Sequence, residues 1–296
     1  MKKSLTVLLL ILFVGLGMVT TTTRARVLLP LSPDLEITDE ERQVGLLWNG
    51  EEQITIDRMI LEIEESGKLL AIMPLSSATT HTYQDESVME KARYNFKERK
   101  RSMSLPDYFY EPGPEYQEMT SVATKLQEIT AQEDLKAAVE DFLAEEGFAE
   151  LDFAAEKLTP LEDYINRGYN WLSFAILDLD SGISAQVSSW RFVTPKMFYP
   201  LETGRDFTVK FTALLSDPRP DFESYGWQDF DFYIPPQITP PAKIAEIHPY
   251  LGDFFPGVMV HTHYWEISSP AEGFTDDLLV TGEDIRDLLR KLRPDR

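Results

Sequence analysis

The stretch VGLLWNGEEQITI, residues 44–56, decides the fold class. It reads as an apolar strand, a turn at Asn49-Gly50, and a second strand in which Ile54-Thr55-Ile56 alternates. Asn-Gly between two such runs is a strong two-residue hairpin signal, because both residue types tolerate the positive φ that tight hairpin turns require. Working outward, Met59 to Ile63 continues the alternation, Ser66-Gly67 makes a turn, and Leu69 to Met73 forms a further strand closed by Pro74. This pattern predicts an antiparallel meander. Residues 26–40, rich in Pro and acid, read as a lead-in.

Residues 84–168 change character. Val88, Ala92 and Phe96 recur every four residues and predict a helix over Asp85 to Arg101. Val122, Leu126 and Ile129 predict a second helix; Leu135, Val139, Phe142 and Leu143 predict a third, ended by Gly147. Thr159-Pro160-Leu161-Glu162 reads as a capped helix start, and Gly168 as its stop. Strands return at Tyr169 to Asp178, Ile183 to Phe192, Phe207 to Leu215, Asp229 to Ile234 and Val258 to Ile267. Asp180-Ser181-Gly182 reads as the hairpin turn between the first two. Thr281 opens a last helix over Asp284 to Leu292. Strands, then helices, then strands, then a helix predict an α+β fold: an antiparallel sheet or sandwich with a helical insertion at about 84–168 and a C-terminal helix, all within a single domain over 26–296.

Composition bounds the function. The 296 residues are 43% hydrophobic and 26% charged, enough for a sizeable core. A formal charge of −22 repels nucleic acid and anionic lipid, and suits cationic partners. There is no cysteine, so thiol chemistry and disulfide staples are both excluded. Met1-Lys2-Lys3, the uncharged run Leu5 to Val19 and Thr23-Arg24-Ala25 together read as a signal peptide over 1–25. The other reading is an uncleaved anchor: Ser4 to Thr23 carries no charge, and about 20 apolar residues suffice to span a bilayer. Either reading places the bulk of the chain outside the cytoplasm, secreted or periplasmic, and touching membrane only through this segment.

The nearest approach to a catalytic signature is His261-Thr262-His263. Residues two apart on a strand share a face, so the imidazoles could chelate a divalent metal, with His248 or Glu266 as further ligands. Glu266 falls on the opposite face of a regular strand, and the bland reading is a half-exposed polar pair beside Met259 and Trp265. Asp178-Leu179-Asp180-Ser181-Gly182 brushes the calcium-loop pattern but lacks the third and the closing acid, and a turn explains it. Lys97, Arg99, Lys100 and Arg101 stand out in so acidic a chain as a docking patch for an anionic partner; the bland reading is a solvated helix face paired with Glu140, Asp141, Glu145 and Glu146. No Gly-x-Ser-x-Gly, His-Glu-x-x-His or Gly-rich phosphate loop is present.

Several short segments resemble a secreted prokaryotic family of unknown function. They are Val44 to Glu52, the strand end Ala71-Ile72-Met73-Pro74-Leu75, the helix exit Tyr164-Ile165-Asn166-Arg167-Gly168-Tyr169, and Trp190-Arg191-Phe192 followed by Phe198-Tyr199-Pro200-Leu201. The resemblance spans most of residues 43–205; this chain has Pro74-Leu75-Ser76 and Phe198-Tyr199 where the family pattern has Pro-Leu-Pro and Tyr-Tyr. It implies an extracytoplasmic, β-rich domain and brings no activity. The sequence therefore predicts a non-enzymatic ligand- or partner-binding protein of the cell envelope without a cofactor. Its alternative is a metal-dependent hydrolase using His261, His263 and a divalent metal.

Overall fold

A computed structural model describes residues 27–81, 116–151, 153, 155–201, 208–216, 221–222, 232–247, 249–268 and 278–281. Strands β2 (Ile37–Trp48) and β3 (Glu52–Ile63) form the expected hairpin. Its loop is Gly50-Glu51, one residue later than the Asn-Gly signal placed it, since Trp48 faces Gln53 and the Asn49 N–H donates to the Glu52 carbonyl at 3.2 Å. The Asn49 side chain explains the shift. Its Oδ1 accepts the N–H groups of Glu51 and Glu52 at 3.0 and 2.9 Å, while Gly50 takes φ 103°.

The predicted meander ends there. Strand β4 (Gly67–Leu75) leaves β3 and pairs with β1 (Val27–Pro30), inside the stretch read as a lead-in, and with β8 (Trp171–Leu179). Strand β9 (Gly182–Val193) pairs with β3 instead of β8. The two continuous segments 52–75 and 171–193 thus form one long antiparallel ribbon that changes sheet half-way. At the change, Glu64-Glu65-Ser66 lies opposite only Asp180-Ser181, because Ile63 pairs with Gly182 and Gly67 with Leu179. An extra residue on one strand bends a ribbon and increases its twist, which is how strands pass between packed sheets. The Ser181 N–H donates to Ser66 Oγ at 3.0 Å across the corner. The Asp180-Ser181-Gly182 turn is therefore a sheet corner, and Asp178 beside it is ion-paired at 3.2 Å with Lys68.

Two sheets face each other across this corner. The four-stranded sheet runs β1-β4-β8-β7, with β7 at Thr120–Glu128. The eight-stranded sheet runs β13-β14-β11-β2-β3-β9-β5, with β6 beside β9; these added strands are β13 (Phe232–Thr239), β14 (Val260–Ser268), β11 (Thr208–Leu215), β5 (Thr79–His81) and β6 (Gln117–Glu118). Most pairs are antiparallel; β2 with β11 and β6 with β9 run parallel. A third, three-stranded sheet joins β10 (Lys196–Tyr199), β15 (Leu278–Thr281) and β12 (Asp221–Phe222). The fold is α+β, as expected.

Alternation along each strand feeds separate layers. Leu69, Ala71, Leu177 and Leu179 point from the smaller sheet onto Met59, Leu61 and Ile63 of the larger. Met73 and Leu75 meet Val44, Leu46, Trp48 and Trp190. On the smaller sheet's other face, Leu70, Ile72, Phe174 and Ile176 are covered by α1 (Leu135–Glu145) and α2 (Thr159–Asn166). Two short helices, α3 (Pro241–Ile247) and α4 (Pro249–Phe254), cover the outer face of the larger sheet through Ile244, Leu251, Phe254 and Phe255. The order is helices, sheet, sheet, helices. Pro74 lies inside β4 rather than closing it, and is tolerated because β1 pairs only as far as Ile72, leaving the Pro74 side of the strand without a ladder there.

The second helix expected from Val122, Leu126 and Ile129 is absent; Thr120–Glu128 form β7 instead, an edge strand on β8. Strand pairing to β8 overrides a weak helical spacing, and the Thr and Val residues suit a pleated edge. Helix α1 spans the residues expected, and α2 begins at Thr159. Thr159 is not its cap: a 3-10 turn over Ala155–Leu158 runs straight into the helix and puts Leu158 at the N-cap without a side-chain bond. Residues 1–25, the helix over Asp85 to Arg101, Lys97, Arg99, Lys100, Arg101, His248 and the C-terminal helix over Asp284 to Leu292 lie outside the described residues. Among the described residues no helix is long and apolar enough to cross a membrane.

The contact between α3 and α4 is close enough to test the architecture. A Cβ on Gly252 would stand 2.7 Å from the Ala245 Cβ. Gly252→Ala should lower unfolding stability by about 1–3 kcal/mol through overpacking, and Ala245→Gly in that background should recover part of the loss in urea titrations. An undiminished midpoint in Gly252→Ala would contradict this packing.

Candidate functional site

His261 and His263 do lie on one strand, β14, and their partners on β11 are Leu215 and Ala213. Both partners belong to the apolar cluster between the sheets, so the imidazoles share the inward face. They are not half-exposed: His263 is fully buried and His261 is 7% exposed. The depth follows from position, because β14 is flanked by β13 and β11 and lies inside the sheet rather than at its edge. By register Glu266 stands opposite Lys210, on the other face from the pair. Among the described residues no three His, Cys, Asp or Glu side chains come together in a group able to hold a metal.

The inward face carries a polar constellation that the sequence reading missed. Glu40 and Arg42 lie two apart on β2 and point the same way as Val44, Leu46 and Trp48. Arg42 Nε donates to Glu40 Oε1 at 2.7 Å, and Arg42 Nη2 makes a second, shorter contact to the same oxygen. Its Nη1 donates to Asp57 Oδ2 at 3.2 Å, and the Tyr199 hydroxyl donates to that same oxygen at 3.1 Å. Asp57 is fully buried and Arg42 is 4% exposed. Burial alone would pull the guanidinium pKa down; the charges of Glu40 and Asp57, with the Glu40 hydrogen bond, outweigh it and hold Arg42 protonated more firmly than usual. A buried charge is tolerable only when paired and hydrogen-bonded, and this one is bonded to two carboxylates.

Next to it, Gln53 acts as a substitute peptide group. Its Nε2 donates to the Phe198 carbonyl at 2.6 Å and its Oε1 accepts the Phe198 N–H at 2.7 Å. Together with Tyr199 on Asp57, this fastens the three-stranded sheet to the larger one through side chains from β3. Trp48 Nε1 donating to the Thr194 carbonyl at 3.2 Å extends the same seam. Trp48 and Trp190 are core residues, as their strand spacing implies. Trp190 Nε1 also donates to Ser173 Oγ across the sandwich, at 3.2 Å.

On the outer face, Arg191 clasps α4. Its Nη2 and Nε donate to the two Glu52 oxygens at 2.6 and 3.3 Å, Nη1 donates to the Tyr250 hydroxyl at 3.3 Å, and its Cζ lies 5.7 Å over the Phe254 ring. The Glu52 hydrogen bond raises the Arg191 pKa, and burial raises that of Tyr250. Of the acids on α1, Glu140 is within 3.4 Å of Lys136, and Glu145 within 2.9 Å of Lys125.

Ile238, Met259 and Val258 are 52%, 45% and 37% exposed, and the register of β13 with β14 sets them at the same end of the larger sheet. Ile238 stands opposite His261 in the ladder.

Replacing Asp57 with Ala should cost about 1–3 kcal/mol, because Arg42 Nη1 and the Tyr199 hydroxyl lose a buried acceptor while Glu40 still pairs the guanidinium. Tyr199→Phe should cost about 1–3 kcal/mol. The double variant should fall short of the sum in a denaturant-based cycle. The Tyr250 contribution is fully present below the ordinary tyrosine range and should be lost as pH rises through its raised folded value; the loss in alkaline unfolding curves should vanish in Tyr250→Phe.

No family model matches the chain, and no curated protein matches it. Among solved structures, the crystal structure of baculovirus P35 aligns at a TM-score of 0.40 and 9% identity, covering 86% of this chain and 98% of that one. The crystal structure of the caspase-8/P35 complex aligns at 0.38 and 9%, covering 82% and 96%. Both similarities are too weak to carry a function.

Proposed function

We propose that this chain is a non-enzymatic partner-binding domain that works outside the cytoplasm, secreted or in the cell envelope. The observation that carries the reading is the exposed apolar group Ile238, Val258 and Met259 at one end of the larger sheet. Clustered apolar side chains left in water mark contact surfaces, whereas scattered ones need no explanation. The nearby strand is an unsuitable template for strand addition: β13 carries Pro235 and Pro236 at a break in its register with β14, and proline has no N–H to offer a new ladder. The partner therefore docks on side chains. A formal charge of −22 favours a cationic one with an apolar anchor. The N-terminal pattern over residues 1–25 supports placement outside the cytoplasm.

The alternative, a metal-dependent hydrolase, draws support from the shared face of His261 and His263. Elemental analysis of the purified chain separates the two readings: about one equivalent of transition metal retained through mild purification favours the hydrolase. For the binding reading, a photo-crosslinking residue in place of Met259 should give one adduct with material of the exported compartment. The adduct should disappear in an Ile238→Asp background. The same residue in place of Lys136, exposed on α1, should give none. Equal adducts from both positions, or none from Met259, would overturn the proposal.

A further inference from the structure

Sulfur is the side-chain element that peroxides oxidise most readily, and exposure decides which sulfur reacts. The chain has no cysteine, so its methionines alone carry that susceptibility. Met59, Met73, Met119, Met197 and Met259 lie among the described residues, and all but Met259 are buried. Met59 packs between the two sheets near the corner, and Met73 and Met197 pack in the apolar cluster beyond it. Met259 is 45% exposed. It follows Gly257, which turns the chain at φ 69°, and precedes Val260, which is fully buried. The chain thus leaves the water within one residue, and Met259 is the last side chain before it does. The other members of its exposed apolar group, Ile238 and Val258, are saturated hydrocarbon and inert to peroxide.

We propose that Met259 is an oxidation site, at which a peroxide converts the thioether to a sulfoxide and makes the exposed apolar group at this end of the larger sheet polar. A sulfur lone pair attacks one peroxide oxygen, and the S–O bond forms as the O–O bond breaks. Sulfur gives up two electrons and the peroxide is reduced. The departing hydroxide takes the proton from the new S–OH and leaves as water. The product is a polar, chiral group in place of a flexible apolar one. Its oxygen is a hydrogen-bond acceptor, and covering it without a donor costs its hydration. The fold itself is spared, because the methionines that pack the sandwich are the ones kept from water. The regulatory consequence rests on the reading of Ile238, Val258 and Met259 as a docking face: oxidation is then the event that weakens the partner's hold. The site stands on exposure and sulfur chemistry alone.

Dilute hydrogen peroxide on the intact chain, followed by peptide mapping in a mass spectrometer, tests the site. Met259 should become sulfoxide while Met59, Met73, Met119 and Met197 stay reduced and the thermal melt stays in place. In guanidinium chloride all of these should react alike. Retention on a phenyl matrix should fall after peroxide. The fall should shrink in Met259→Leu, which keeps the apolar volume without the sulfur; whatever methionines outside the described residues contribute persists in that variant. A photo-crosslinking residue in place of Val258 should give less adduct once Met259 is oxidised and the peroxide removed. Met259 reacting no faster than the buried methionines overturns the proposal. So does a fall in retention of the same size in Met259→Leu, or an adduct that oxidation leaves undiminished. No adduct from the untreated chain sinks the docking reading instead, and the mapping and the retention still decide the site.

Discussion

At the corner of the long ribbon three residues face two, and that surplus forces segments 52–75 and 171–193 out of one sheet and into another. The remaining layers depend on this bend. It sets the smaller sheet over the larger, so that Leu69, Ala71, Leu177 and Leu179 meet Met59, Leu61 and Ile63 within a few residues of the corner. It also leaves each sheet with an outer apolar face, and α1 with α2 on one side and α3 with α4 on the other bury those faces. Without cysteine, no covalent link fixes the angle; the register of the ladder does.

The same bend explains why charge is admitted to the interior. Close to the corner the two inward faces are apolar and fit each other. Farther along β2 and β3, the space is shared with the three-stranded sheet, which reaches the larger one through Gln53 and Asp57 rather than through a strand ladder. Those side chains stand in for backbone, and the Arg42 guanidinium, shared with Glu40, supplies the positive charge beside the carboxylate they require. A hydrophobic residue at 57 would pack, but it would leave the Tyr199 hydroxyl and the Arg42 guanidinium without that acceptor. A buried network of this kind specifies which segment docks more than it adds net stability.

Local elements were legible and their assembly was not. The β2–β3 hairpin follows from Asn49 and Gly50, and α1 follows from Leu135, Val139, Phe142 and Leu143, because both depend on near neighbours. The switch of sheet at Ser66 and Ser181 depends on counting residues against a strand more than a hundred positions away, and the sequence around either serine reads as an ordinary turn. Strand β7 was misread because Val122, Leu126 and Ile129 mimic helical spacing; what decides is β8 beside them. The shared face of His261 and His263 was legible from alternation, but their depth was not, since burial depends on β13 being outside β14. Arg42 and Asp57 did leave a trace. Each sits at an inward position of a strand whose other inward positions are mostly apolar, and a charge in that phase must find a partner or break the strand.

The interior and the surface therefore divide the chemistry between them. The strongest charges among the described core residues, Arg42, Glu40 and Asp57, are bonded to one another and to Tyr199, so their reactivity is already committed to structure. Among the described residues the large apolar side chains left in water are Ile238, Val258 and Met259 at the end of β13, Val122 with Leu126 along β7, and Val193 at the end of β9. A chain this acidic pays for any approach of another acidic body, so apolar borders kept free of facing charge are where contact is least opposed. The proline break in β13 leaves the border at Ile238 to be met through side chains.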